Sequence, residues 1–272
     1  MTRRRRAVGQ YAILLVAAVL FLMPVYVMLV TGLKPFAEVS LPRMWDLPRA
    51  VSLDNFVAAY QVLSGNLLNS IIVATIGALG AALLGSLNGY VLAKWRFRGA
   101  NVVFGAMLFG MFIPYQSVLI PLVRFMQEAR LYGGLPGLIL THIVYGIPIT
   151  TLIFRNYFAT VPTEVLDSAR IDGAGVLGIY RHVMLPIAAP GFAVTIIWQF
   201  TSLWNDFLFA VALTEPRFWP VTVALQNLAG ARVVEWNVQM AGAVLAALPT
   251  VLVYILLGRF FLRGLMAGAL KG

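Results

Sequence analysis

Thr195, Gln199, Ser202 and Asp206 follow one another at spacings of four, three and four residues within an otherwise apolar tract. On a helix that spacing places two hydroxyls, a carboxamide and a carboxylate along one face. The stripe can donate hydrogen bonds to a solute and accept them from it, and Trp204 and Asn205 flank its outer end. An acidic residue inside a membrane span is costly and usually faces a water-filled cavity or the interior of a bundle, which makes Asp206 a functional candidate. The alternative is polar glue between helices, with Trp204 as an interfacial anchor.

Other chemistries are excluded by what the sequence lacks. The chain has no cysteine, so disulfides, thiolate metal sites and cysteine nucleophiles are absent. His142 and His182 are too far apart for a local metal motif and read as polar side chains near a membrane boundary. No GxxxxGK[ST] loop occurs, so the chain has no phosphate loop for ATP; any ATP and Mg act on another polypeptide.

The elements that carry the stripe follow from composition. Of 272 residues, 61% are hydrophobic and 11% charged, and the mean hydropathy is +0.87. Soluble domains hold about 45–50% apolar residues, so this is an integral membrane protein. The blocks between charges are continuous rather than alternating, which excludes a barrel and predicts helices. The expected architecture is an all-α membrane protein, one transmembrane domain over residues 1–272. Its six spans lie near 11–32, 67–93, 100–123, 134–155, 187–212 and 238–260, each near the roughly 20 residues a crossing needs. The basic run Arg3 to Arg6 precedes a tract too long for a cleaved signal, so the first helix is expected to be retained.

Six spans put both termini on one side. With that side cytoplasmic, thirteen of the twenty Lys and Arg face inward: Arg3 to Arg6, Lys94, Arg96, Arg98, Arg155, Arg170, Arg181, Arg259, Arg263 and Lys271. Positive residues favour the cytoplasmic side. The rule also accounts for most of the net charge of +10, leaving nothing to suggest a nucleic-acid partner.

Two smaller features sit inside the spans. Gly77, Ala81, Gly85 and Gly89 lie four apart, a small-residue stripe that admits another helix closely, with Asn88 beside it as a second pathway candidate. Gln116, between Pro114 and Pro121, lies where prolines loosen a helix, and could serve gating or local hydrogen bonding.

Between the fourth and fifth spans lies a polar loop, residues 156–186. Pro162 suits a first helical turn, Glu164 and Asp167 suit its positive end, and Arg170 suits its last turn. Gly173 after Asp172 can take the left-handed turn that ends a helix. Val176, Leu177, Ile179, Tyr180, Val183 and Met184 then recur at helical spacing, and Pro186 is expected to break the chain before the fifth span. The prediction is a two-helix elbow with an apolar face to bury.

This loop resembles the signature of the permease subunits of ABC importers: Glu-Ala-Ala, then x-x-Asp-Gly-Ala, then Ile-x-Leu-Pro nine residues after the glycine. Here "DSARIDGA" matches, with Asp167, Ser168 and Ala169 for the triplet, then Asp172, Gly173 and Ala174, and later Val183, Leu185 and Pro186. "LVTGLKPFAEV", "MFIPYQSVLIPL", "FTSLWNDFLFAVAL" and "FFLRGLMAGALKG" resemble the smaller permease of carbohydrate importers, and "RNYFATVP" its glucose-type members.

The resemblance implies a non-enzymatic transmembrane subunit that forms half of a sugar path in a bacterial or archaeal cell membrane. It implies a second homologous permease, two ATP-binding cassette subunits that grip the elbow and carry ATP and Mg, and an extracytoplasmic sugar-binding protein. Gln199, Trp204, Asn205 and Asp206 then suit a sugar, which needs partners for its hydroxyls and an aromatic face for its C–H surface. Without the resemblance, an ion-coupled transporter or a membrane scaffold would remain open.

Overall fold

The computed structural model describes residues 2–95, 97–230 and 235–269, with side chains described between residues 8 and 258. Arg3 to Arg6, Arg96, Arg259, Arg263 and Lys271, on which the expected orientation draws, lie outside the described side chains. The chain order is α1 (Thr2–Gly32), α2 (Asp54–Lys94), α3 (Ala100–Gly110), α4 (Leu119–Glu128), α5 (Leu135–Ala159) and α6 (Thr163–Ile171). α7 (Val176–Ile187), α8 (Ala189–Trp204), α9 (Leu208–Leu213), α10 (Val221–Ala229) and α11 (Trp236–Ala269) follow. No strand occurs among the described residues; Gly133 and Thr214 form an isolated bridge.

Four helices are long and apolar enough to cross a membrane, and two bent pairs bring the count to six if each is one span. The protein is a multi-pass, all-α membrane protein. Two expected spans are not continuous. The third breaks after Gly110, and its second part, Tyr115–Glu128, turns by 90°. Pro114 sits at the break in extended conformation, φ −59° and ψ 121°, and a proline also pushes its predecessor away from helical angles. The second span starts earlier than expected, at Asp54, where the backbone N–H of Asp54 donates to Ser52 Oγ (3.3 Å).

Two compact units make up the chain: Met1–Gly65 with Ala224–Leu248, and Asn66–Val223 with Pro249–Gly272. In the first, Asn55 Nδ2 donates to the carbonyls of Gly32 and Lys34, each at 2.8 Å. Asn237 Nδ2 donates to Asn55 Oδ1 at 2.8 Å. These buried amides tie together the end of α1, the start of α2 and the start of α11, satisfying carbonyls freed where α1 stops.

The second unit is organised by the close approach of α2 and α5. A Cβ on Gly85 would collide with Thr150, and one on Gly89 would lie 2.7 Å from both the Arg155 backbone nitrogen and Phe154 Cβ. A Cβ on Gly80 would lie 2.6 Å from Ile143 Cδ1. Thr150 Oγ1 donates across the seam to the carbonyl of Ala81 (2.9 Å). The small-residue stripe therefore receives α5, as its spacing implies.

Gly89→Val is expected to overpack this seam and lower stability by about 1–3 kcal/mol. Thermal melting of the purified protein in detergent checks it, and Gly105→Val, where a Cβ meets nothing within 4 Å, is the matched control.

Candidate functional site

One end of the α2–α5 pair carries the elbow. α6 begins just after Pro162, with Glu164 exposed in its first turn. Ser168 Oγ donates to the carbonyl of Glu164 (2.9 Å), and Arg170 pairs with Asp167 at 2.8 Å. α6 ends as its sequence predicts. Gly173 has φ +80°, its N–H donates to the carbonyl of Arg170 (3.0 Å), and the N–H of Ala174 donates to that of Ala169 (3.0 Å). These two bonds are the paired closure of a Schellman cap, with Asp172 as the C-cap after Ile171 and Gly173 in the left-handed position.

The expectation for Pro186 is corrected. The helix does not break there but continues to Ile187, and the bend of 77° falls between α7 and α8, at Ala188. A π turn over Tyr180–Met184 precedes the proline, widening the helix ahead of a residue that has no N–H to donate.

One face of the elbow is locked to the spans. Leu166, Ile179, Met184 and Ala188 are buried with Tyr90, Phe154 and Phe158, while Val183 and Leu185 are half-buried and Pro186 is exposed. Tyr90 Oη donates to the carbonyl of Val176 (3.1 Å), Lys94 Nζ donates to that of Val161, and the hydroxyls of Ser86 and Tyr180 bond each other. Arg170 lies 4.8 Å from the Trp95 ring centre. The other face is free: Ile171 is 87% exposed, Leu177 69% and Val176 46%. Val176 and Leu177 thus leave the buried stripe on which their spacing placed them.

Toward the other end of α5 lies a recess of about 650 Å³. Gln199, Ser202, Asn205 and Asp206 line it, together with Met111, Tyr115, His142, Tyr145, Gly146 and Trp198 among others. Thr195, Trp204, Asn88 and Gln116 are not among its lining residues. Thr195 is buried and donates to the carbonyl of Gly191 (2.8 Å). Trp204 is buried and stacks on Phe200 with ring centres 5.5 Å apart. Asn88 is half-buried on α2, and Gln116 is exposed in a 3-10 turn whose Tyr115 does reach the recess.

The polar stripe is not one continuous helix face. α8 ends at Trp204, and Asp206 lies in the break before α9. There its carboxylate accepts from the backbone N–H groups of Ala210 (2.9 Å) and Phe209 (3.4 Å), so it caps a helix whose first N–H groups would otherwise be orphaned. Thr222 Oγ1 donates to the Asp206 carbonyl (2.7 Å).

His142 has a neighbour that its sequence reading did not name. It is buried, seven residues into α5 and so about 10 Å from its start, with Nε2 3.5 Å from Asp206 Oδ2. The two atoms are close but not hydrogen-bonded, and Nε2 is buried without a hydrogen-bond partner. Phe209 stands at the centre of an aromatic wall, 5.0 Å from Tyr145, 5.4 Å from Tyr115 and 5.8 Å from the His142 ring. The sequence signal was present in "HIVYG", which puts His142, Tyr145 and Gly146 on one helical face.

Comparison with known proteins fits this arrangement. Residues 83–266 match the family described as binding-protein-dependent transport system inner membrane component. The chain belongs to this family. The permease is 50% identical over 186 residues to a protein of Pyrococcus horikoshii named as a probable ABC transporter permease, covering 68% of each chain. It is 34% identical to the xylose/arabinose import permease protein XacI of Haloferax volcanii, over 97% of this chain and 93% of that one. In fold it matches a bacterial ABC transporter involved in import of the acidic polysaccharide alginate, with a TM-score of 0.83, 22% identity, and 96% and 98% of the two chains covered. The permease is thus the transmembrane subunit of an ATP-driven importer.

Asp206→Leu is expected to remove the cap of α9 and lower stability by about 0.5–2 kcal/mol, whereas Asp206→Asn keeps an acceptor and stays close to the parent. Paired melting curves check the difference.

Proposed function

We infer that the permease forms half of the translocation path of a carbohydrate importer and is driven through its elbow by a separate ATPase. The observation that carries this reading is the two-faced elbow: one side fused to α2 and α5 by burial and hydrogen bonds, the other presenting Ile171, Leu177 and Val176 outward. An apolar surface held this rigidly on a polar loop is suited to a protein partner. Glu164, Asp167 and Arg170 surround it with charge that orients the docking partner more than it strengthens the contact.

The assembly holds a second homologous permease, two ATP-binding cassette subunits and an extracytoplasmic sugar-binding protein. ATP and Mg reside on the cassette subunits, and this chain carries no catalytic residue. Both termini and the elbow face the cytoplasm of a bacterial or archaeal cell, in its inner membrane where two are present. The pentose specificity of one relative's name supports carbohydrate as the cargo. Transport proceeds by alternating access: ATP binding closes the cassette subunits, the elbow is pulled with them, and the spans reorient around the recess.

Reconstitution tests this. Vesicles holding the full assembly should take up sugar when supplied with ATP and the binding protein, and ATP-independent uptake would overturn the reading. Gly173→Val should cut uptake by about tenfold or more while leaving sugar affinity of the binding protein unchanged, because a β-branched side chain is strained at positive φ by about 1–2 kcal/mol and the Schellman cap shapes the docking face. Uptake at the parent rate would count against the elbow as the drive.

A further inference from the structure

The recess beside Asp206 has the makings of a selective site. Its polar groups converge from separate elements, Gln199 and Ser202 from α8, and Asn205 and Asp206 from the break after it. Among the described residues no Lys or Arg lines it, and Asp206 supplies its carboxylate. Gln199 is 3% exposed, and its amide nitrogen has no hydrogen-bond partner. That side chain lies over Gly146, where a Cβ would collide with the amide nitrogen. The glycine therefore admits a carboxamide that the protein leaves unsatisfied, a costly arrangement for a buried donor.

We propose that this recess is a subsite for a neutral saccharide ring that excludes acidic sugars, with Asp206 and Gln199 binding ring hydroxyls and His142 positioning the Asp206 carboxylate. The proposal rests on the carbohydrate-import reading above. An ionised carboxylate offers about four acceptor positions. The N–H groups of Phe209 and Ala210 occupy two, which leaves acceptors for ligand O–H groups. Gln199 rotates its carboxamide toward the recess to supply a donor, satisfying the nitrogen that now lacks a partner. The rings of Tyr115 and Tyr145 against Phe209 and the exposed indole of Trp198 offer apolar faces to sugar C–H groups. The volume falls within the roughly 300–1,000 Å³ of small-molecule sites and suits a mono- or disaccharide.

Exclusion of acidic sugars follows from charge. A uronate would bring a second carboxylate beside Asp206 with no guanidinium or ammonium to offset it. At contact distance near a protein surface, that repulsion weakens binding by more than about a hundredfold. His142 acts through Asp206. Its buried Nε2 lies 3.5 Å from Oδ2 and needs only a small closure to form a charge-assisted hydrogen bond when the other lone pairs engage a ligand.

Saturation-transfer difference NMR tests the site directly. The permease, assembled with its partner subunits in lipid nanodiscs and without the binding protein, is titrated with methyl α-D-glucopyranoside and, separately, with glucuronate. The glucoside should show saturable transfer and glucuronate none. Gln199→Leu and His142→Leu should each weaken the glucoside by about tenfold, the loss of one hydrogen bond. His142→Gln, which retains a donor, should recover most of that loss. Asp206→Asn should admit glucuronate. Equal signals from both probes with the parent protein, or no response of the glucoside to either leucine variant, would overturn the subsite. A His142→Leu chain that no longer assembles, or a His142→Gln chain as weak as the leucine variant, would overturn the positioning role. ATP-driven uptake by the same subunits, reconstituted in vesicles and supplied with the binding protein, keeps the two readings apart: normal uptake without glucoside contact removes the subsite alone, whereas absent uptake with intact glucoside binding removes the importer reading.

Discussion

The seam between α2 and α5 is the constraint on which the second unit depends. Gly80, Gly85 and Gly89 let the two backbones approach more closely than side chains would permit, and Thr150 fastens them with a hydrogen bond to the Ala81 carbonyl. In a bilayer no hydrophobic force drives one helix against another, so packing and such bonds must hold them. The share of buried residues reflects this: 39% in the apolar window of α2 and 44% in that of α5, against 6% in α1.

The elbow and the recess hang from opposite ends of that seam. At one end Ser86, Tyr90 and Lys94 of α2 reach the elbow, and Phe154 and Phe158 of α5 are buried with it. At the other, His142, Tyr145 and Gly146 of α5 form a wall of the recess, while a Cβ on Gly77 of α2 would collide with Leu203 beside it. A close-packed pair transmits displacement because it is not continuously deformable. On the proposed reading, mechanical coupling between the elbow and the recess needs no special relay beyond the helices themselves.

Much of this was legible in the sequence because the signals were local. Apolar blocks marked the helices, the four-residue glycine spacing marked the seam, and Asp172-Gly173 marked the left-handed stop of α6. The parts that were not legible depend on tertiary context. A proline predicted to end a helix at Pro186 is instead absorbed by a π turn, and the bend moves to Ala188. The stripe from Thr195 to Asp206 looked continuous because spacing cannot reveal that α8 stops at Trp204, after which Asp206 gains its position by capping α9. His142 was set aside in a search for metal pairs, since its partner, a carboxylate 64 positions away, is brought near only by folding.

The proposed coupling requires α2 and α5 to move as one body when ATP closes the cassette subunits on the elbow. Because the chain has no cysteine, spin labels can be placed in pairs at Ile76 and Val144, both exposed on these helices, and at Ile76 and Leu177 on the elbow. Pulsed electron paramagnetic resonance on the assembly in lipid, with and without added ATP and vanadate, reads the distances. The account predicts that the Ile76–Val144 and Ile76–Leu177 separations stay within about 2 Å, the scale of ordinary helix shifts, while Leu177 moves relative to its counterpart across the assembly. A larger change between Ile76 and Val144 would contradict it.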